Sequence, residues 1–183
     1  MADPASVTPS AQPTSSRSDR EMLAWIAVVF VVLSLVGKVV GGGFGVVIFG
    51  APYLLACVIH LWIHRRALGR LTLDSSDLVI IFSSHIALLC GALLQEDAVI
   101  DGPFFVTVVK LLHGDSIQSI PPWYWFNAWA PFVGIPVALS WVVLFILTTP
   151  LGRLRAIRIA GSLIVPALAL VLVVMVVAVV LTS

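Results

Sequence analysis

Four polar side chains recur on one face of an apolar segment. Residues 53–66 read YLLACVIHLWIHRR, in which Tyr53, Cys57, His60 and His64 follow one another at spacings of four, three and four residues. Positions three and four apart lie on the same side of an α-helix. Ionisable side chains inside an apolar helix indicate a functional site by default. This face is therefore the first candidate polar or ligand-binding surface.

A second apolar segment supplies His85, with Ser84 beside it. His60 lies about four residues, and His85 about eight, from the same end of two antiparallel helices, so their depths differ by only ~6 Å. We predict that these two imidazoles face each other. Hydrogen bonding between the helices is the simplest interpretation, and another ligand or a proton role for the pair stays open. A haem b site with two histidine ligands and a quinone pocket are alternatives.

The other polar residues of this stretch have plainer interpretations. His64 is followed by Arg65 and Arg66, and all three are predicted to be interfacial anchors at the lipid headgroups. Cys57 is interpreted as a small apolar packing residue. Cys57 and Cys90 both fall inside apolar runs, so neither a disulfide framework nor a metal site is predicted from the sequence.

Motifs of catalysis are missing from the sequence. No acidic residue lies in the interior of an apolar segment, and the sequence contains no G-x-x-x-x-G-K-[ST], H-E-x-x-H, C-x-x-C or G-x-S-x-G. A serine nucleophile needs a base beside it, and only Ser83 or Ser84 with His85 offers one. Neighbouring positions point to different sides of a helix, so this pair is poorly placed. Catalysis by this chain alone is not expected, and neither is a nucleic-acid partner.

Composition sets the class of protein. Hydrophobic residues make up 60% of the 183 residues, charged residues 10%, and the mean hydropathy is +1.12. A typical soluble domain carries about 25% charged residues. The sequence therefore predicts an all-α polytopic bundle with the lipid bilayer as its surroundings.

The apolar runs divide into about five spans. Residues 22–63 are too long for one crossing of the ~30 Å hydrocarbon core, and the glycines at 41–45 are the natural break. Asp74 is predicted to cap the third helix. The predicted spans are 22–40, 46–64, 77–94, 127–147 and 157–181. Four spans plus a re-entrant hairpin is the alternative.

Basic residues set the predicted orientation. Residues 1–20 are rich in Ser, Pro and Ala and are expected to form a disordered cytoplasmic tail, leaving 21–183 as one transmembrane domain. With the N-terminus inside, eight of the ten Lys and Arg residues lie on the cytoplasmic side. The C-terminus then lies outside, and a bacterial inner membrane is the expected location.

One long connection, residues 95–126, falls on the outside. Residues 102–115, GPFFVTVVKLLHGD, are too short to cross a bilayer and are predicted to form a short interfacial helix. Aromatic side chains concentrate at membrane interfaces. The residues expected to anchor the chain there are Trp123, Tyr124, Trp125 and Trp129.

Small residues suggest how the helices associate. Apolar side chains gain little by leaving lipid, so close backbone approach at small residues drives helix packing in membranes. The glycines predicted to serve this purpose are Gly37, Gly41, Gly91 and Gly134. The expected function is that of a non-catalytic subunit, anchor or membrane sensor, through self-association or other membrane subunits. A small homo-oligomeric channel or transporter is the first alternative, and a haem b- or quinone-binding redox subunit the second.

Overall fold

The computed structural model describes residues 16–42, 45–94, 96–97, 105–106, 112 and 132–182, and within these ranges the chain is a helical bundle. Three of its helices are long and apolar enough to cross a membrane, over Arg17–Val39, Ser75–Leu94 and Arg155–Leu181. The five α-helices are α1 (Arg17–Gly42), α2 (Gly45–Arg70), α3 (Ser75–Leu94), α4 (Gly134–Leu147) and α5 (Arg155–Thr182).

Helix boundaries follow local sequence signals. Helix α1 ends at Gly42 and α2 begins at Gly45, inside the predicted glycine break. At the start of α3, the backbone N–H of Asp77 donates to Asp74 Oδ1 at 2.9 Å, which confirms the predicted cap. Leu73, just before this cap, has a φ of 60°, a left-handed conformation that is strained for a leucine.

Helix α4 is shorter than the predicted span 127–147. It begins at Gly134 and contains 14 residues, about 21 Å of helix. A 3-10 turn at Phe132 and a turn at Val133 precede it, and residues 127–131 lie outside the described ranges. Pro136 falls in the first turn, where a missing N–H costs no helical hydrogen bond. The proline therefore belongs to the helix start and not to the interior of a longer span.

The long connection contains a short hairpin. The strands β1 (Glu96–Asp97) and β2 (Phe105–Val106) pair antiparallel, with Glu96 opposite Val106. The predicted interfacial helix is therefore wrong at Phe105 and Val106, where Phe, Val and Thr neighbours favour an extended chain. Leu112 is helical, and the rest of residues 102–115 lie outside the described ranges.

Helix α3 is the centre of the bundle. It packs on α1, α4 and α5, whereas α2 packs on α1 and α4. Helices α1, α2, α4 and α3 thus form a four-helix ring in which α2 and α3 are diagonal partners, and α5 packs against α3 and α4. A 3-10 turn (Pro150–Arg153) links α4 to α5.

Two apolar clusters fill the bundle at different heights. One includes Cys57, Leu88 and Val137, and the other includes Ile63, Ile81 and Leu144. Trp141 packs against both of them. The layer between the two clusters contains the buried polar side chains of His60, His64, Ser84, His85 and Ser140, and we call it the polar layer.

Glycine contacts only partly follow the predicted packing. A Cβ at Gly91 would lie 2.8 Å from Val137 Cγ2, so α3 and α4 approach closely there. A Cβ at Gly37 would make an ordinary 3.8 Å contact with Leu93. The sequence reasoning missed Gly161 of α5, which packs against α4: a Cβ there would lie 3.1 Å from Val143 Cγ1. Gly41 belongs to α1, but its surroundings lie outside what the structure describes.

The predicted packing role of Gly134 within the bundle is wrong. A Cβ there would meet nothing within 4 Å, and Ala138, one turn later, is exposed as well. The inward face of α4 instead carries Val137, Ser140 and Leu144. The side chains on this face are larger because they must span the polar layer between α4 and the helices opposite it. The small residues of α4 are left on its outer surface.

Candidate functional site

Three histidines meet in the polar layer. His60 and His64 come from α2 and His85 from α3, and all three side chains are at most 1% exposed. His60 Nε2 lies 2.9 Å from His85 Nδ1. The His64 ring stacks on that of His85 with centroids 4.1 Å apart and lies 4.2 Å from the His60 ring. One nitrogen from each ring lies within 4.8 Å of the others. We call these three residues the histidine cluster.

The helical repeat of α2 brings His64 into this cluster. His60 and His64 are one turn apart, so both point to the middle of the ring, where α3 presents His85. The assignment of His64 to the headgroup layer is therefore wrong: its side chain is 1% exposed. The arginines that follow it point to other sides of α2. His60 and His85 face each other as predicted, but their imidazoles bridge two diagonal helices of the ring and not two neighbouring ones.

The other two helices of the ring contribute aromatic partners. From α4, the indole N–H of Trp141 donates to His60 Nδ1 at 2.9 Å. From α1, Phe30 stacks on His85 with ring centroids 5.2 Å apart. Phe82, one turn before His85 on α3, approaches that ring by its edge at 6.3 Å. All four helices of the ring therefore position the cluster.

The Trp141 contact fixes the protons on two histidines. An indole nitrogen can only donate, so His60 Nδ1 accepts and the neutral His60 ring carries its proton on Nε2. That proton is donated to His85 Nδ1, which places the proton of neutral His85 on its own Nε2. His85 Nε2 has no hydrogen-bond partner among the described protein atoms. The chain of donation ends there.

A second chain of hydrogen bonds fixes His64. The Ser140 hydroxyl donates to the carbonyl of Val137 at 2.7 Å, so its oxygen accepts from Ser84 at 3.2 Å. The Ser84 oxygen in turn accepts from His64 Nε2–H at 3.3 Å. The lone pair of His64 therefore lies on Nδ1, which also lacks a partner among the described protein atoms.

These directions decide what the site can do chemically. Ser84 forms its histidine hydrogen bond with His64 and not with His85. In that bond the Ser84 oxygen accepts from the imidazole N–H and does not donate to it. A serine nucleophile needs the reverse arrangement, with the histidine as base. No carboxylate belongs to the cluster among the described residues. In this arrangement Ser84 is therefore not activated as a nucleophile by a histidine of the cluster.

The remaining predicted site residues lie apart from the cluster. Cys57 is 3% exposed and belongs to the apolar cluster that includes Leu88 and Val137. Tyr53, one turn earlier on α2, packs against the same apolar cluster. The sequence reasoning missed Ser140, Trp141 and Phe30. A serine and a tryptophan side by side in the otherwise apolar α4 were the available signal.

Arginines join the ends of the helices next to the cluster. Arg66 Nε donates to Thr148 Oγ1 at 2.8 Å, and its guanidinium lies 4.9 Å from the centre of the Phe145 ring. Arg70 donates to the Thr148 carbonyl at 3.2 Å. Arg20 of α1 donates to the Leu68 carbonyl. Arg65 is exposed. Arg66 thus ties α2 to α4, and the predicted role of Arg65 and Arg66 as interfacial anchors stays a prediction.

An ion pair closes the same end of the bundle. Arg158 Nη2 of α5 lies 2.6 Å from Asp77 Oδ1 and 3.1 Å from Asp74 Oδ2. Asp77 also accepts from the backbone N–H of Leu73, which holds the left-handed turn. Burial acts to raise the pKa of Asp74, but hydrogen bonds from Ser76 and the Asp77 backbone, with the charge of Arg158, lower it overall.

A cleft between α1 and α2 has one histidine of the cluster, His64, among its lining residues. Its volume is about 510 Å³, and its inner wall includes His64, Leu61 and Ala27. Arg17, Arg20, Glu21 and Arg65 line its outer part. The cleft is thus apolar inside and charged at its mouth.

The predicted aromatic anchors Trp123, Tyr124, Trp125 and Trp129 lie outside the described residues.

Comparisons with protein-family models, with curated proteins and with solved structures find no match to this chain. The histidine cluster is therefore the main source of inference about function.

Proposed function

We propose that this chain is an integral membrane protein of five spans that works without catalysis, as a sensor or subunit of a larger membrane assembly. The observation that carries the proposal is the enclosed histidine cluster, in which His64 donates to Ser84. Such a centre can bind a ligand or respond to one, but it contains no activated nucleophile. A bundle with an enclosed polar layer suits a sensor or a structural subunit.

Apolar surface and charge support the membrane location. Three helices have the length and composition to cross a bilayer. Arg20, Arg70 and Arg158 make contacts at one end of the bundle, which agrees with a cytoplasmic end rich in arginine. Helix α2 is one of the other two proposed spans. The proposed fourth span consists of α4 together with the apolar residues before it in the sequence, because the 14 residues of α4 alone, about 21 Å, are too short to cross the ~30 Å core. The proposed N-terminus is cytoplasmic and the C-terminus is outside.

The outer surface of α4 supports association with a partner. Gly134 and Ala138, four residues apart, are exposed and do not serve packing within the chain. Small residues at this spacing allow a second helix to approach closely in lipid. We propose this surface as the contact with another copy or another subunit.

Native mass spectrometry in mild detergent tests the assembly. The wild-type protein is expected as an oligomer or with a co-purifying partner, and Ala138→Leu should shift it to the single chain. Ala24→Leu is the matched control, because Ala24 is exposed on α1, which lies diagonally across the ring from α4. A wild-type protein that is always a single chain would refute the assembly.

The two alternatives have less support from this geometry. A pore between protomers needs polar side chains on the outer surface, and the exposed residues of α4 include Ile135, Leu139 and Val142. A haem with two histidine ligands holds its iron between the imidazoles, whereas His60 and His85 are in direct hydrogen-bond contact at 2.9 Å. Either function would require the helices to move apart.

A further inference from the structure

Two nitrogen atoms are left over by the hydrogen-bond network of the histidine cluster. They are Nδ1 of His64, which carries a lone pair, and Nε2 of His85, and both are buried without a partner among the described protein atoms. Buried polar groups are nearly always paired, so an unpaired one calls for an explanation. Two in adjacent, stacked rings point to a shared ligand.

We propose that the histidine cluster binds one transition-metal ion, with His64 Nδ1, His85 Nε2 and His60 Nε2 as ligands, and that Cu⁺ is the preferred ion. The biological meaning of this site, as the ligand-responsive centre of a membrane sensor, rests on the proposed function. Binding itself is measured independently of topology and assembly.

The geometry is close to that of a three-histidine site. Imidazole nitrogens bind metal at about 2.0–2.1 Å, which places three such nitrogens about 3.3–3.6 Å from one another. In the cluster one nitrogen of each ring already lies within 4.8 Å of the others. For the three lone pairs to meet at one ion, the stacked His64 and His85 rings, now 24° from parallel, must tilt toward each other, and the His85 ring must turn so that Nε2 replaces Nδ1 beside His60 Nε2.

Ser84 prepares His64 as a ligand. A histidine that binds metal usually donates its other N–H to a nearby acceptor, which fixes the ring and directs the free lone pair at the ion. His64 Nε2–H donates to Ser84, which is held in turn by Ser140. Nδ1 of His64 is thereby presented with its lone pair available.

Trp141 opposes binding by His60. The indole N–H holds the His60 proton on Nε2, the atom that would bind the metal. For His60 and His85 to bind through Nε2, each must carry its proton on Nδ1, and His60 Nδ1–H then meets the indole N–H. Binding moves two protons within neutral rings and releases none, but it breaks the Trp141 hydrogen bond. Removal of that donor should therefore strengthen binding.

The charge of the surroundings favours a monovalent ion. The cluster has no carboxylate among the described residues, and Asp77, eight residues before His85 in the sequence, is paired with Arg158. The cost of burying an ion rises with the square of its charge, so a divalent cation costs about four times as much as a monovalent one. Imidazole ligands suit both copper and zinc. The uncompensated site should therefore prefer Cu⁺ to Zn²⁺.

The cleft between α1 and α2 provides the route, because its inner wall reaches His64. Three arginines and one glutamate line its outer part, so the mouth does not concentrate free cations. Selectivity therefore lies with the imidazoles and not with the entrance.

The test is metal binding by the purified full chain in detergent, with a tag that contains no histidine. Cu⁺ is titrated under anaerobic conditions in competition with a chromophoric chelator, and Zn²⁺ in competition with a fluorescent one. One Cu⁺ per chain is expected, bound at least tenfold more tightly than Zn²⁺. His64→Gln should abolish binding. His113→Gln is the control, since it makes the same change at the one histidine outside the cluster. Cys57→Ser with Cys90→Ser excludes binding by thiols and should leave it intact.

Trp141→Phe separates a metal site from a purely structural network. It should bind Cu⁺ about tenfold more tightly, equivalent to about 1.4 kcal/mol, the scale of one hydrogen bond. This variant stays informative even if His64→Gln does not fold. No Cu⁺ binding by the wild type, equal binding by His64→Gln, or no gain in Trp141→Phe would overturn the inference. Zn²⁺ bound as tightly as Cu⁺ would overturn the choice of ion. Loss of the oligomer in native mass spectrometry with Cu⁺ binding intact would refute the assembly alone.

Discussion

The contact between Gly91 and Val137 makes the packing of α3 on α4 testable. A methyl group at position 91 would lie 2.8 Å from Val137 Cγ2 and 3.9 Å from Val133 Cγ1. Non-bonded carbon atoms prefer 3.5–4.0 Å, so Gly91→Ala must push the helices apart by about 0.7–1.2 Å or force Val137 off its rotamer. Valine is stiff at χ1, so it gives way poorly. The expected loss in the free energy of unfolding is about 1–3 kcal/mol.

A double-mutant cycle isolates this contact. Val137→Ala deletes the methyl group that Gly91→Ala would strike, and alone it should cost about 1–2 kcal/mol. If overlap is the cause, the double variant should be more stable than the sum of the single effects by about 1–2 kcal/mol. Gly69→Ala is the control, because a Cβ there meets nothing within 4 Å.

The assay is equilibrium unfolding in mixed detergent micelles, followed by helical circular dichroism. Gly69→Ala should be at least as stable as the wild type, since alanine favours a helix over glycine. Additive losses in Gly91→Ala and Val137→Ala would show that the two positions are not in contact. Wild-type stability in Gly91→Ala would refute the close approach of α3 and α4.

The remaining predictions concern the polar groups, the topology and the colour of the protein. His85→Gln should cost about 0.6–2 kcal/mol in the same unfolding assay, the range of hydrogen bonds between membrane helices. Asp77→Ala should cost about 2–3 kcal/mol, less than the 3–5 of a fully buried pair because the Arg158 side chain is 31% exposed; a loss below 0.5 would contradict this role. The lowered pKa of Asp74 means that its contribution is present above the unfolded value of about 3.9 and is lost as the pH falls through the folded value. The difference between wild type and Asp74→Asn should therefore be small at pH 7 and vanish on acidification. A reporter active only in the cytoplasm should be silent when fused after Ser183, and activity there would mean an even number of spans. The purified protein should lack a Soret band, and a band that His85→Gln removes would restore the haem alternative.

The helices could largely be predicted from hydropathy and from caps. The length of the apolar runs predicted the helices, the glycines at 41–45 predicted the break between α1 and α2, and Asp74 predicted the start of α3. Helix α4 was overestimated because aromatic and apolar residues before Gly134 extend its hydropathy without extending the helix. Hydropathy does not separate a helix from an apolar turn that precedes it.

The sequence predicted the pairing of His60 and His85 but not the presence of His64 in the histidine cluster. His60 and His85 could be paired because they lie at similar depths along their two helices. Depth along a helix does not show how the helices are arranged around the ring. His64 was assigned from its neighbours Arg65 and Arg66, although the residue one turn earlier on the same face was His60. On a helix, the residues that share an environment are three and four apart, and adjacent ones do not. The spacing was the better guide.

Trp141 shows what sequence reasoning could not supply. Its role depends on the diagonal placement of α2 and α3. Because of this placement, α4 borders the polar layer between them, and Trp141 contacts His60 there. An indole there has one N–H to place, and His60 Nδ1 is its acceptor. That single bond sets the protons on His60 and His85 and leaves His85 Nε2 unpaired. Helix order around the ring, which no local pattern in the sequence encodes, therefore determines the proton arrangement of the cluster and with it the affinity that the site can have for a ligand.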